Sequence, residues 1–380
     1  MGFYGPRIRS YFTTITLFAI VYSQKQKLKN DSSDLEKMDS RTIAFIIRRA
    51  IYAVFTLLIL IVFIFVLIHI IAPNPISLAK IYSGVPHGSL TFYAAYAKTH
   101  GLDAPVYVQI FTYIINIFKG NFGIDPIKDQ PVITLIGKYL PRTLEFVLTG
   151  IVISIILGLY TGAYAAARRR KPADNTVKGF YLATWSMPTF LLAAVLQLVI
   201  AYDLRLLPAI NMVDPTLRAP PDVLAFPVLN ALWARDWPYL ISLIHHMILP
   251  TLAIALLSFG IITRLTRSTM LDVMETDYFR LTLMKGVPRN KAIYSVALRN
   301  ASIPLVTYIV LDLAFSVAGA VVIEEIFSYH GIGYYIVQAI YNLDYPAILG
   351  TTIIIALTII VANLIADILY GVLDPRVRLE

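Results

Sequence analysis

Long runs of apolar residues, separated by shorter polar segments, dominate the hydrophobic pattern of this chain. A helix needs about 20 mostly apolar residues to cross the hydrocarbon core of a bilayer. Six runs reach that length, and they occupy residues 50–72, 144–167, 180–202, 244–263, 304–326 and 349–371. No stretch is dominated by strand-type alternation, which disfavours an outer-membrane barrel. The pattern predicts an all-α integral membrane protein with six transmembrane helices.

Two further apolar stretches are too short to span a bilayer. We predict that residues 106–118 form a helix at the outer membrane interface. Residues 11–22 belong to an N-terminal cytoplasmic extension over residues 1–42. This stretch either lies on the membrane surface or packs on a partner, or the extension is an artefact of a start site placed upstream of Met38.

Composition supports a membrane protein and narrows its chemistry. Only 14% of the residues are charged, whereas a soluble chain carries roughly 25%. The net charge of +9 is compatible with nucleic-acid binding in principle. However, the basic residues flank apolar runs, so we predict a lipid bilayer beside them and no nucleic acid. The sequence has no cysteine, which excludes thiolate catalysis and cysteine-ligated metal.

Lysine and arginine residues set the predicted orientation, because cytoplasmic loops carry an excess of them. With the N-terminus inside, most of the 32 basic residues fall on inside segments, and the last outside loop has none. Both termini are therefore predicted to be cytoplasmic. The predicted organisation is a first transmembrane helix within 43–72, an extracytoplasmic segment over 73–143, and a five-helix core over 144–376 that contains a cytoplasmic loop at 265–303.

Several residues inside the predicted spans suggest close packing or bending. Small residues recur every four positions in the second span and allow another helix to approach closely; they are Ser154, Gly158, Gly162 and Ala166. Such a stripe fits either static packing or a moving helix interface. Pro188 interrupts the third span and Pro250 lies early in the fourth, and each removes a backbone donor and can bend its helix.

Ionisable residues inside spans are costly and often functional. Asp312 lies near the middle of the fifth span, where it either lines a translocation path, binds a cation or pairs with a partner helix at a subunit contact. Four others lie near span ends, where they can reach water or headgroups, and we assign them no special role; they are His69, Glu324, Glu325 and Asp367.

The sequence lacks the motifs of several enzyme classes. It contains neither the phosphate-binding pattern G-x-x-x-x-G-K-[ST] nor the patterns H-E-x-x-H and G-x-S-x-G. We predict that the chain is not an enzyme and that it binds no metal or cofactor itself.

One predicted cytoplasmic segment is distinguished by its basic charge and by a glycine and prolines that interrupt its helices. Residues 278–304 read YFRLTLMKGVPRNKAIYSVALRNASIP, with five basic side chains and no acidic one. Asp277 is a plausible N-cap for a short helix, Gly286 fits its C-terminus, and Pro288 can begin a second helix. A helix of about nine residues is marginal alone in water. We therefore predict two short helices that dock on a partner; the alternative is a solvated basic loop that only fixes topology.

This segment resembles the cytoplasmic coupling loop of permease subunits in binding-protein-dependent ABC importers, in particular the B-type subunit of the dipeptide/oligopeptide class. The family pattern runs DY-x-R-T-A-R-A-K-G-L and then H-A-L-R-N-A-x-I-P. This chain has Asp277-Tyr278, Arg280, Lys285-Gly286 and ALRNASIP over 297–304. Similar stretches follow in family order over about 43–378, among them HIIAPNP, LPRTLE, SMPTF, AGAVVIEEIF and NLIADILYGVLDPRVR. The chain departs from the pattern at 281–284, where the family's alanines are lost, and at His330, where proline is usual.

The resemblance implies a type I importer permease fold with an extended outer segment between the first two helices. It implies one of two membrane subunits that form a path for peptides, oligosaccharides or nickel in the cell membrane of a prokaryote. The implied partners are a second permease, two cytoplasmic ATPase subunits that hold ATP and Mg²⁺, and an external substrate-binding protein.

By the same resemblance, the helix over 276–290 receives the motion of the ATPases, and the connection from Arg299 to Pro304 passes it to the fifth span. The implied coupling residues are Asp277, Tyr278, Arg280, Lys285, Gly286, Arg289, Arg299, Asn300 and Pro304. Asp312 is the candidate residue of the path.

Two alternatives stay open at the level of sequence. An ion-coupled secondary transporter would use Asp312 as its coupling carboxylate, would transport alone and would show an inverted internal repeat, which we do not find. A scaffold subunit without a path is the other. Neighbouring genes for a second permease, a binding protein and ATPases would favour the importer.

Overall fold

Helices make up nearly all of the regular structure in the computed structural model, which describes residues 40–85 and 87–373. In chain order the first elements are α1 (Ser40–Ile71), α2 (Pro75–Ser83), α3 (Leu90–Thr99), α4 (Val106–Phe118), β1 (Ile124–Asp125), β2 (Gln130–Pro131), α5 (Val132–Ala167), α6 (Pro172–Ser186), α7 (Thr189–Leu196), which continues as a π-helix (Gln197–Asp203), and α8 (Pro227–Ala234). The remaining elements are α9 (Trp237–Glu275), α10 (Asp277–Met284), α11 (Arg289–Lys291), which continues as a π-helix (Ala292–Ala297), α12 (Leu298–Ala301), α13 (Ile303–Phe327), α14 (Ile332–Tyr341) and α15 (Tyr345–Leu373).

Five helices in the described part of the chain are long and apolar enough to cross a membrane, namely α1, α5, α9, α13 and α15. Helix α6 and the helical stretch Thr189–Asp203 pass the same test together, which gives up to six spans among the described residues when this bent pair is counted as one. This confirms the predicted all-α membrane fold, and within residues 40–85 and 87–373 the sole strands are those of the short antiparallel hairpin of β1 and β2.

Helices α5 and α9 extend well beyond the apolar runs that predict them. Helix α5 begins at Val132 and not at residue 144, and α9 runs from Trp237 to Glu275 instead of covering 244–263. The Asp236 side chain caps α9 by accepting a hydrogen bond from the Tyr239 amide at 3.1 Å. Hydropathy detects only the part of a helix that lies in hydrocarbon, whereas capping and packing continue the helix into the polar regions.

The third span is broken, not merely kinked. The helix axis bends by 107° at Met187 and Pro188, between α6 and the helical stretch that begins with α7. Met187 is extended, with φ −78° and ψ 131°, as the steric demand of a following proline favours. The prediction that Pro188 interrupts this span is confirmed, while α9 continues through Pro250.

Helices α5 and α9 pack closely against each other at small residues of α5. A Cβ atom placed on Gly158 would lie 2.6 Å from Ile262 Cγ2, and one on Gly162 would lie 2.8 Å from the backbone oxygen of Thr263. All four members of the predicted small-residue stripe in α5 are buried. The stripe is therefore an intramolecular contact that lets two helix backbones approach.

The predicted extracytoplasmic segment folds onto the ends of the spans. Its helix α4 confirms the predicted helix over 106–118, and several of its large apolar side chains are exposed. The hairpin is tied to α14 by the Tyr335 hydroxyl, which donates to the buried Asp125 carboxylate at 2.9 Å. The predicted N-terminal extension lies almost entirely outside the described residues.

Candidate functional site

The segment between α9 and α13 is built from two short helical stretches, as Gly286 and Pro288 predict. Helix α9 ends at Glu275, α10 follows from Asp277 to Met284, and Gly286 turns the chain with φ +79°. Glycine reaches this left-handed conformation without steric cost, which explains its position just past the helix end. We call residues 277–301 the coupling segment.

One detail of the prediction is wrong, namely the N-cap of α10. Thr276 occupies that position, with φ −73° and ψ 153°, and Asp277 is already in the first helical turn. The Thr276 hydroxyl donates to the Val273 carbonyl at 2.6 Å. This hydrogen bond satisfies a carbonyl in the last turn of α9. In the first turn, the Asp277 carboxylate still favours the helix through the helix dipole.

A single buried aromatic residue attaches α10 to the bundle. Phe279 is only 4% exposed and packs in a cluster with Met270 of α9, Ile293 of the second π-helix and Ala163 of α5. The small residues in this cluster allow the coupling segment to lie close against the ends of two long helices. It is therefore fixed to the bundle and is not a loosely tethered loop.

The opposite face of α10 is apolar and uncovered. Leu281 is 51% exposed and Met284 is 83% exposed, and Tyr278 is also exposed. An apolar patch beside basic residues at the edge of a membrane protein is typical of a docking surface.

All nine predicted coupling residues are solvent-exposed. Arg280 forms an exposed ion pair with Asp277 at 3.5 Å. The Tyr278 phenol lies within hydrogen-bonding reach of the Thr276 and Asn300 side chains, and its partial burial raises its pKa. Tyr278 belongs to α10 and Asn300 to α12, so the two side chains lie near each other across the coupling segment, a proximity that the sequence pattern alone does not reveal.

Two family models match the chain. The model for the binding-protein-dependent transport system inner membrane component covers residues 150–379, and the model for the N-terminal part of such membrane components covers residues 42–146. The chain belongs to this family. ATP hydrolysis in such importers resides in separate subunits, so the chain is a permease subunit and not an enzyme.

Individual relatives agree with the family match over almost their whole length. The dipeptide transport system permease protein DppB of Escherichia coli is 32% identical over 340 residues, which cover 88% of this chain and 98% of the relative. The oligopeptide transport system permease protein AppB of Bacillus subtilis is 31% identical over 336 residues, with 88% and 99% covered. The glutathione transport system permease protein GsiC of Salmonella choleraesuis is 28% identical over 334 residues, with 88% and 98% covered.

The family match establishes the location of the chain and the kinds of protein it works with. It is an inner-membrane, multi-pass component of an importer that works with a partner permease, an ATPase and a binding protein. The predicted type I permease fold is confirmed by the same match and by the spans. ATP-driven import is thereby favoured over the ion-coupled transporter.

Asp312 lies within the bundle of the described chain. Its Oδ1 accepts a hydrogen bond from the Tyr308 hydroxyl at 3.3 Å, and the carboxyl also lies beside Ser258 of α9. Its Oδ2 is buried and has no hydrogen-bond partner among the described residues. The structure therefore places Asp312 at the contact of α13 with α9, apart from the coupling segment.

The sequence interpretation of Glu324 is wrong, because its side chain does not reach water or headgroups. Glu324 is fully buried and accepts hydrogen bonds from the Thr143 hydroxyl and, at 2.8 Å, from the Tyr334 amide. Thr143 in turn accepts from the Ile332 amide at 2.8 Å. Glu324 thus fastens the start of α14 to α5 and α13. The signal in the sequence is the G-I-G at 331–333, whose glycines lie against this carboxyl.

Proposed function

We propose that the chain is one of two membrane subunits of an ATP-driven peptide importer and that its coupling segment docks on the cytoplasmic ATPase. The observation that carries this proposal is the uncovered apolar and basic face of α10 on a segment that Phe279 fixes to α5 and α9. An element that both docks on a partner and is rigidly joined to the spans is suited to transmit a motion.

The finer features of the proposal follow from the family setting. A heterodimer of two permeases would face two ATPase subunits that hold ATP and Mg²⁺, with both termini of this chain on the cytoplasmic side. ATP-driven closure of the ATPases would push on α10, and the connection from Arg299 to Pro304 would pass the displacement to α13. The path would then alternate between its two openings.

Peptides are the proposed substrate class because the three relatives named above are transporters of dipeptides, oligopeptides and glutathione. None of these names supports an oligosaccharide or nickel. Asp312, whose buried Oδ2 has no hydrogen-bond partner within the described part of the chain, is the proposed polar residue of the path.

Docking is tested by substitution on the exposed face of α10. We expect Arg280→Glu and Met284→Glu to lower the amount of ATPase subunit that copurifies with the permease by about tenfold, which corresponds to about 1.4 kcal/mol. Arg218→Glu changes another exposed basic residue, at the predicted outer end; it is the matched control and should retain the ATPase. Equal copurification in all three variants would contradict the assigned surface.

Transport itself is tested in liposomes that contain the complete importer. We expect ATP-dependent accumulation of a labelled dipeptide and no accumulation of labelled maltotriose. Accumulation of the sugar alone would contradict the proposed substrate class. Asp312→Asn should retain the ATPase and lower transport; loss of the complex would make Asp312 a structural pairing residue.

A further inference from the structure

A buried ion pair joins two cytoplasmic helix ends that are distant in the sequence. Asp174, in the first turn of α6, is completely buried. Arg267 of α9 donates to both of its carboxylate oxygens, from Nε at 2.7 Å and from an Nη at 2.9 Å. Lys178 lies 3.0 Å from the same carboxylate, and the Arg170 amide donates to it at 2.9 Å.

This pair differs in kind from a surface salt bridge. Desolvation of two charges costs several kcal/mol per ion and is offset only by good geometry and additional hydrogen bonds. The two-point bond of a planar guanidinium to a carboxylate fixes orientation as well as distance. Arg267 is itself only 16% exposed. The contact therefore holds α6 and α9 in one relative position.

A second contact holds the same two helices together two turns away. A Cβ placed on Gly260 of α9 would lie 2.8 Å from Trp185 Cβ and 3.0 Å from the Tyr181 carbonyl oxygen of α6. Gly260 and Arg267 are about 10 Å apart along α9. Fixed at two levels, α6 and the cytoplasmic half of α9 form one rigid pair.

The two ends of this helix pair lie at the coupling segment and at the break in the third span. Helix α9 leads through Thr276 directly into α10 of the coupling segment, while α6 ends at the 107° break before Pro188. Beyond the break, Ala193 and Ala201 pack in one buried cluster with Leu243, in the other half of α9. The Gln197 amide there donates to the Ala209 and Ile326 carbonyls at 2.9 and 2.8 Å.

We propose that Asp174 and Arg267 are positioning residues that make α6 move with α9, so that a displacement of the coupling segment reaches the break in the third span. The break is then the joint between a cytoplasmic body, which follows the ATPase, and the outer part of the bundle. This inference rests on the proposed coupling function, and it adds a second route to the one through α13.

The first test measures the geometry of the full chain in nanodiscs and requires no substrate. Because the sequence has no cysteine, spin labels at Asn175→Cys and Lys291→Cys report one distance between α6 and the coupling segment; both sites are exposed. We expect one narrow distance distribution that at least about doubles in width in Arg267→Lys, which keeps the charge and loses the planar fork. An equally narrow distribution in that variant would overturn the inference.

The second test measures coupling in the reconstituted importer with a labelled dipeptide. We expect Arg267→Lys and the uncharged double variant Asp174→Asn/Arg267→Gln to assemble with the ATPase. Each should hydrolyse at least about five times as much ATP per imported dipeptide as the wild type. The double variant leaves no buried charge of the pair uncompensated, so it separates coupling from folding if Asp174→Asn alone does not fold.

A matched control removes an exposed ion pair from the same region. Arg169 and Glu275 lie 2.6 Å apart, with side chains 48% and 65% exposed, and Glu275→Gln should leave both the distance distribution and the ATP cost unchanged. An unchanged ATP cost in Arg267→Lys and the double variant would reduce Asp174 and Arg267 to a purely structural role. If the wild type shows no dipeptide-dependent hydrolysis, the proposed function fails, while the distance measurement still decides the inference.

Discussion

The close contact of α5 with α9 makes a quantitative prediction for Gly162→Ala. The added methyl carbon would lie 2.6 Å from Thr266 Cβ and 2.8 Å from the Thr263 backbone oxygen. Because that oxygen belongs to the backbone of α9, a side-chain rotation cannot relieve the overlap and the two helices must separate. Overpacking of this kind typically costs about 1–3 kcal/mol.

Gly137 provides a matched control in the same helix. A Cβ at Gly137 meets no atom of the described residues within 4 Å. Both substitutions gain about 1 kcal/mol of helix propensity, since each replaces a helical glycine by alanine. This gain cancels in the comparison, and the overpacking cost of about 1–3 kcal/mol remains as the difference between the two variants.

The assay is unfolding of the purified full chain in one detergent, followed by intrinsic fluorescence against temperature or added SDS. We expect Gly137→Ala to unfold at or above the wild-type midpoint and Gly162→Ala to unfold clearly below Gly137→Ala. Equal midpoints for the two variants would refute the packing argument, because it would mean that α9 moves away from α5 at little cost.

Two further predictions use the same assay at the predicted outer end. Thr143→Val should cost about 1–3 kcal/mol, because it leaves Glu324 and the Ile332 amide without their buried partner; Thr149→Val, whose exposed hydroxyl bonds only within its own helix, is the control, and equal losses would contradict the reasoning. Burial and the neighbouring Asp125 carboxylate raise the pKa of Asp344 to about 6, so its contribution to stability is greatest below its ordinary pKa near 4 and is lost as the pH rises to about 6. Asp344→Asn should therefore reduce the decrease in unfolding midpoint between pH 4 and pH 6.5, and an unchanged decrease would show that Asp344 does not titrate in this range.

The helix boundaries and the turn within the coupling segment were predictable because they depend on neighbouring residues. Gly286 supplies the left-handed turn and Pro288 ends one helix and permits the next, whatever the rest of the chain does. The N-cap was misassigned by one residue, since Thr276 and Asp277 are both suitable capping residues and the choice depends on where α9 ends.

Burial of charge was not predictable, because it depends on partners far away in the sequence. Glu324 near a span end is compatible with water contact until α14 folds back and places the Tyr334 amide against it. Asp174 looks like an ordinary acidic residue in the first turn of a helix, and only the packing of α6 on α9 brings Arg267 to it.

The sequence by itself determined the membrane setting, the number of spans, the two short helices of the coupling segment and the family, because hydrophobic runs, turn residues and motif order are all local along the chain. Only the tertiary structure decided which way the spans turn toward one another, including the 107° break at Pro188 and the contact of α5 with α9. The physical reason is that a lipid-facing side and a helix-facing side are both apolar, so hydropathy cannot tell them apart, whereas close packing and paired charges can.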